Sequence, residues 1–424
     1  MFRKILAIAA TAILAAGVAG CGVGDSSESD GKVTLTLAYP SDPNAQAKLD
    51  ALVREYQKSN PDVSVKYVFI PFTSWSEYIT KVKTMVAGGD APDLLRLAVE
   101  GIRQFVDDDL AMPFDDYAAQ HGDYVTSLGL DQIHPNIQAP LQIDSKTYGY
   151  AFDWNNVVMH INTKLFEEAG VPLPAENWTK DDFLKAAQAL TKTVDGQKQY
   201  GFMIPNDYFL TTAFLYGNNA SVLNEDMTKA TVNQPNAVEV VQFMHDLVYT
   251  HGVSPVPGPN VDAGRLFMAG KLAMYPAGRW PVASYQQNDF SDFDVQYLPT
   301  FQSQTAAFGS GTFPVLKTSE HPQEAQKFAM WLSASEYSQT NFLAVDSIPS
   351  RQDVMTSVTT AAPPANGGIF KESADSVKAI QAPVRYTDVS TIFVKALSEV
   401  YSNQKSAQEA LDHAAKDINR ALDS

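Results

Sequence analysis

The segment 85–100, Met-Val-Ala-Gly-Gly-Asp-Ala-Pro-Asp-Leu-Leu-Arg-Leu-Ala-Val-Glu, restricts the possible folds more than any other part of the chain. Upstream of it, Trp75, Tyr78, Ile79, Val82, Met85 and Val86 recur at helical spacing, and Ser74 with Glu77 reads as a capping box at the helix start. Gly88-Gly89 ends that helix, and Pro92 forbids its continuation. Residues 94–97 are short and apolar enough for a buried parallel strand. That places residues 98–101 at the strand's carboxyl end, where open α/β sheets bind ligands.

The flanking sequence extends the pattern. Residues 33–37 alternate Val, Thr, Leu, Thr, Leu as a first strand, and Asp42-Pro43 opens a helix striped by Leu49, Leu52, Val53 and Tyr56. Residues 63–68 alternate again, so the order β-α-β-α-β predicts a parallel sheet with right-handed crossovers. The tip of the first strand, residues 39–42, then lies near the tip of the third. A chain of 424 residues is too long for one ordinary core and suits two α/β domains. Its formal charge of -17 argues against nucleic acid, which needs a basic surface.

At the amino end, Arg3 and Lys4 precede an apolar run over residues 5–18 that closes in Ala19-Gly20-Cys21. The run is shorter than the ~20 residues that span a bilayer and reads as a cleaved export signal, residues 1–20. Val18-Ala19-Gly20-Cys21 resembles the lipobox of bacterial lipoproteins, in which the cysteine carries lipid. An ordinary secretory signal with an incidental cysteine is the competing reading. Cys21 is the sole cysteine, which excludes an internal disulfide or a cysteine metal cluster. Residues 21–32, rich in Ser, Gly, Asp and Glu, read as a flexible tether.

Farther along, residues 157–161 form an apolar run before a helix over 163–169, and Thr179 with Asp182 offers a second capping box. Residues 200–208 read as a strand that delivers an aromatic and polar tip. Helices are predicted from Pro235, from Asp262 to Ala269, from Pro322 and from Ser406, and short strands at 272–275 and 295–298. A turn follows at 276–281 and a second polar tip at 308–312.

Together these blocks resemble the solute-binding lipoprotein of a carbohydrate-type ABC importer. The matching segments are 87–94, 148–162 with Leu165-Phe166, 178–191, 267–280, 308–332 and Ile348-Pro349-Ser350-Arg351. The resemblance implies an α/β, two-lobed periplasmic-binding-protein-like fold, each lobe a mainly parallel sheet flanked by helices. Three hinge crossings are implied near 151–153, 302–309 and 346–351. Lobe 1 then comprises residues 33–151 and 308–348, and lobe 2 residues 152–307 and 349–424. It further implies a monomer with no cofactor and no catalysis, held by lipid at the outer face of the cytoplasmic membrane. Its partners would be a carbohydrate and the transmembrane subunits of a permease driven by a cytoplasmic ATPase.

A sugar presents hydroxyl edges and apolar C–H faces, so its site needs carboxylates, amides or Arg for the former and flat aromatics for the latter. By resemblance, Trp280 after Gly278-Arg279 is a stacking platform, with Arg279 counted beside it; a core aromatic at a helix start is the alternative. Tyr208 is carried over in the same way. Glu100 and Asp153 match acidic positions that accept sugar hydroxyls, although Glu100 also reads as a solvated loop charge. Trp154 is a platform or hinge packing, and Asp42 serves equally as a helix N-cap. Ser310 and Arg351 lie at crossings and bond either ligand or hinge backbone. Tyr386 falls in a segment that lines the cleft in the family. Trp75, within its helical stripe, reads as core.

Two other functions use similar residues. A secreted glycoside hydrolase also needs carboxylates and aromatics, but the chain has no nucleophile elbow, His-Glu-x-x-His, phosphate loop or calcium loop. The same fold binding a polyamine, metal or peptide is the other; acids around aromatics suit a polyamine, whereas the seven histidines do not cluster.

The anchor is testable directly. Cys21→Ser should release the protein from membranes, since stable anchoring requires two or more acyl chains. A Ser variant that stays in the membrane fraction after high-salt and carbonate washing would place the anchor elsewhere.

Overall fold

The alternating residues of β1 (Val33–Pro40) bury Leu35 and Leu37 completely, and β1 pairs in parallel with β2 (Val63–Ile70) on one side and β3 (Leu94–Leu95) on the other. This computed structural model describes residues 32–42, 45–258, 261–343, 347–361 and 363–424. Cys21, the export segment and residues 21–31 of the tether lie outside them. The helix Ala45–Gln57 packs the expected stripe Leu49, Leu52, Val53 and Tyr56. The helix Trp75–Gly88 buries Tyr78, Ile79 and Val82 and ends at Gly89, whose φ of 87° suits a residue without Cβ. Only half of its expected capping box forms: Ser74 accepts from the Glu77 amide, while the Glu77 carboxylate turns to Lys81 and Thr73.

The expected strand 94–97 breaks at Arg96. Its second piece, β4 (Leu97–Ala98), leaves the first sheet, and the helix Val99–Asp107 begins at once. Residues 98–101 are therefore a helix start rather than a loop tip. Two small hairpins, β5 (Gln142–Ile143) with β6 (Lys146–Thr147) and β9 (Lys192–Val194) with β10 (Gln197–Gln199), decorate the chain on either side of β7 (Asp153–Asn156) and β8 (Val158–Asn162). β8 is buried along its whole length between β11 (Met274–Ala277) and β12 (Phe293–Gln296). Both pairings are antiparallel, so the expectation of a mainly parallel sheet holds for the first sheet and not for this one. A strand covered on both faces reads as a continuous apolar run, and that run carries no sign of its neighbours' direction.

The third sheet joins distant parts of the chain. β13 (Ala307–Thr312), expected as a polar tip, is its central strand. It pairs antiparallel with β7 and with β4, and in parallel with β15 (Lys378–Ala379). β14 (Ile348–Pro349) adds to the other edge of β7, matching Ile348 to Trp154 and Pro349 to Asp153. The segments expected as crossings thus hydrogen-bond to one another side by side. Residues Val33–Ser424 pack as one continuous unit.

Residues 200–208 are not a strand. Tyr200 makes a single bridge to Leu272, and Asp207 caps the helix Tyr208–Gly217 by accepting from the Leu210 amide. The full capping box at Thr179 and Asp182 starts the helix Lys180–Leu190, whose end lies against Gly201. A Cβ at position 201 would overlap the Ala187 carbonyl. Gly201→Ala should consequently destabilise the fold by about 1–3 kcal/mol, the usual cost of overpacking. An unchanged urea midpoint for this variant would mean that the turn relaxes without strain.

Candidate ligand-binding site

Arg96 occupies the break between β3 and β4, and its side chain runs over the bare backbone of β13, where a Cβ on Gly311 would collide with the guanidinium. Nη2 donates to Asp153 Oδ1 at 2.7 Å and Nη1 to the Leu97 carbonyl at 2.9 Å. The other carboxylate oxygen of Asp153 accepts from Ser347 at 2.8 Å. Trp75, Phe152 and Phe313 present rings 5.4–5.9 Å from the guanidinium carbon. Burial works against the Arg96 charge, but Asp153 and the nearby Tyr39 and Tyr78 hydroxyls outweigh it and hold its pKa above normal.

Glu100 lies in the first turn of Val99–Asp107 and is only 4% exposed. Its Oε2 has no hydrogen-bond partner in the protein, and neither has Ser310 Oγ, which is equally buried beside it in the same cavity wall. Burial pushes the Glu100 carboxyl up to about 7; its own backbone N–H and Arg96 oppose that shift, while Asp207 and Asp153 reinforce it. Asp207 itself stands at the exposed mouth of the cavity.

These polar groups line a cavity of about 520 Å³ that also bears aromatic rings. Phe72 and Trp75 meet edge to face at 5.0 Å, while Phe209 and Trp280 form a second pair at 6.3 Å. Trp280 is 42% exposed, a large solvent-facing area for an indole. Its ring folds over Gly278, where any Cβ would overlap it. Beneath that turn, His160 Nε2 donates to the Gly278 carbonyl at 2.7 Å, and the Tyr285 hydroxyl reaches His160 Nδ1 at 3.2 Å. Burial pushes His160 down to about 4, so it holds the turn as a neutral imidazole. Trp154 is fully buried, donates its indole N–H to the Pro349 carbonyl at 3.1 Å, and supports the cavity floor. A surface depression of about 590 Å³ around Lys192 and Lys271 has one aromatic ring, Phe290, and only exposed carboxylates. Of these two, the 520 Å³ cavity has the built polar floor.

Comparison with known proteins matches residues 39–339 to the family of bacterial extracellular solute-binding proteins. The chain belongs to this family. An ABC substrate-binding protein from Listeria monocytogenes, solved in complex with cycloalternan, shares 26% identity over 92% of this chain and 99% of its own, with a TM-score of 0.85. A multiple sugar-binding protein of Streptococcus mutans is 21% identical over 82% of each chain. A putative binding protein of Brucella abortus is 25% identical over 59% of this chain, and the match spans 58% of that protein's length. The family members are binding proteins, and the two-lobed α/β fold is shared with the solved structures.

Of the residues selected from sequence, Glu100, Asp153, Trp154, Trp280, Ser310 and Tyr386 line the cavity. Four do not. Tyr208 is buried against Tyr386 and Phe393, and its hydroxyl donates to the Gln381 carbonyl at 3.1 Å. Arg279 is buried and donates to the carbonyls of Leu343, Ser347 and Val358. Arg351 pairs with Asp353 and donates to the carbonyls of Leu128 and Ala334. Asp42 is exposed at the end of β1. Trp75, read as core, reaches the cavity, and Arg96, Phe72, Asn155, Asp207, Phe209 and Ser347 join it without having been selected.

The buried carboxyl makes stability depend on pH. Folding raises the Glu100 pKa from its ordinary 4.5 to about 7, so the folded state binds more protons across that window and loses stability as pH rises through it. Glu100→Gln removes this loss. The variant should exceed the parent in stability at pH 8 by on the order of 2 to 3 kcal/mol, with the gap closing toward pH 4. Urea melts at the two pH values check this, and equal stabilities at pH 8 would place the carboxyl in an ordinary environment.

Proposed function

We propose that this chain captures an uncharged sugar or oligosaccharide in the Arg96–Glu100–Trp280 cavity and delivers it to the transmembrane subunits of an ABC importer driven by a cytoplasmic ATPase. The observation that carries this reading is a polar floor with unpartnered Glu100 and Ser310 oxygens between two aromatic pairs. Hydroxyl edges suit the floor and C–H faces suit the rings. Its volume falls within the range of about 300–1,000 Å³ typical of small-molecule sites. The sugars named for the Listeria and Streptococcus relatives agree with it.

The remaining parts of the proposal follow from the same frame. Lobe 1, residues 33–151 and 308–348, and lobe 2, residues 152–307 and 349–424, would move about β7, β13 and β14, the hinge closure found in periplasmic binding proteins as a class. Lipid on Cys21 would hold the monomer at the outer face of the membrane. Hydrolysis is disfavoured because a glycosidase keeps two carboxyl groups free to act at one bond. Here both oxygens of Asp153 are bonded, to Arg96 and Ser347, and Asp207 spends an oxygen on its helix cap.

Titration calorimetry against a panel of neutral mono-, di- and oligosaccharides tests the reading. Saturable heat without product is expected, and Trp280→Ala should weaken binding by about 2 kcal/mol or more, roughly thirtyfold. Cleaved sugar in the cell would favour the hydrolase, and binding of a polyamine alone would move the ligand class. Unchanged affinity in a folded Trp280→Ala protein would shift the stacking role to Phe209, Trp75 or Phe72.

A further inference from the structure

Glu100 is placed where an ionised carboxylate is poorly served. Glu100 lines the cavity, its Oε2 is buried without a protein donor, and the nearby guanidinium of Arg96 is turned to Asp153. The charged and titratable groups around it come from every neighbouring element. Arg96 lies at the β3–β4 junction, Asp153 on β7, Asp207 at the cap of Tyr208–Gly217, Tyr208 within that helix, and Tyr386 at the start of Tyr386–Tyr401. Burial holds both phenols well above their ordinary range, so they stay neutral. Arg96 and Asp153 cancel, and Asp207 leaves a net negative neighbour. Next to Ser310 on β13, Gly309 passes close to both Glu100 oxygens with no side chain to shield them.

We infer that Glu100 holds the ligand as a neutral carboxylic acid, its Oε2 donating a hydrogen bond to a ligand oxygen, so that capture draws a proton from solvent. This rests on the sugar-binding reading above. A ligand that fills the cavity removes the water beside the already buried carboxyl, and the added desolvation favours the neutral form further. The charge change is one proton added to one carboxylate, with no other group required to ionise. The site then selects ligands that present both an acceptor and a hydroxyl donor to one carboxyl group.

Two probes, cycloalternan and maltotriose, suffice for the test. Calorimetry at pH 6, 7 and 8 in buffers of different ionisation enthalpy should show proton uptake on binding, and affinity falling as pH rises above 7 by up to about tenfold per unit. Glu100→Gln should bind with an affinity independent of pH and should exceed the parent at pH 8 by up to about tenfold. In the ligand-free protein, the Glu100 carboxyl resonance, assigned through that variant, should titrate near neutrality. Titration in the ordinary carboxylate range overturns the inference whether or not either sugar binds. Sugar binding with proton release, or with affinity that rises with pH, overturns it while leaving the sugar reading intact. Absence of heat from both probes defeats the coupled-capture proposal, and failure of the whole sugar panel defeats the sugar reading itself.

Discussion

The Arg96–Asp153 pair is the contact on which the cavity depends. Removing two charges from water is costly, and the pair persists because it is close, hydrogen-bonded on both sides and flanked by rings that accept the guanidinium face. Its location matters more than its energy. Arg96 follows the last residue of the parallel sheet, whereas Asp153 opens β7 beside β13 and β14. The ion pair therefore pins the first sheet to the strands that link the two halves of the chain. Gly311 makes this possible by leaving room over the backbone.

From that point a continuous polar frame runs beneath the cavity. Ser347 bonds Asp153 and, more loosely, Asn155; the Asn155 side-chain Oδ1 accepts from the Arg279 backbone N–H; and the Arg279 side chain ties residues 343, 347 and 358 together. Trp280, next in sequence, is thereby presented from a fixed turn. A rigid platform binds a flat ligand face without first losing its own freedom, which is where much affinity is otherwise lost. Under the proposed hinge closure a ligand would shift the lobes only by its preference for the closed arrangement, and a fixed platform would convert contact into closure.

Local chemistry was legible in the sequence where one residue type admits one conformation. The stripe Leu49, Leu52, Val53 and Tyr56, the Thr179–Asp182 box and the Gly89 terminus all appear as read. Errors arose where neighbouring elements decide. Taking residues 200–208 as a strand selected Tyr208, but the segment turns into a helix at that residue, and a rotation of about 100° per residue sends Phe209 to the cavity and Tyr208 to the core. Trp75 shares its helical spacing with true core residues, yet it sits at the first helical position and its ring meets Phe72 and the Arg96 guanidinium at the cavity. Arg96 carried no signal because a single Arg in an apolar run reveals nothing of Asp153 or Gly311, which lie far off in sequence. Arg351 was selected for its place at a crossing and Arg279 for its place beside Trp280, and neither position distinguishes a ligand acceptor from a backbone carbonyl.

The division of labour among the cavity's polar groups follows from counting satisfied atoms. Arg96, Asp153, Asn155 and Ser347 bond to one another and to the backbone, so they shape the floor. Glu100 Oε2 and Ser310 Oγ are buried at hydrogen-bond cost, and a partner arriving with the ligand repays that cost in the bound state alone. An apolar molecule of the same shape would cover them and leave them unpaired. In the proposed sugar site, discrimination would therefore reside in these two oxygens, while the four rings would supply attraction that any flat C–H face can use.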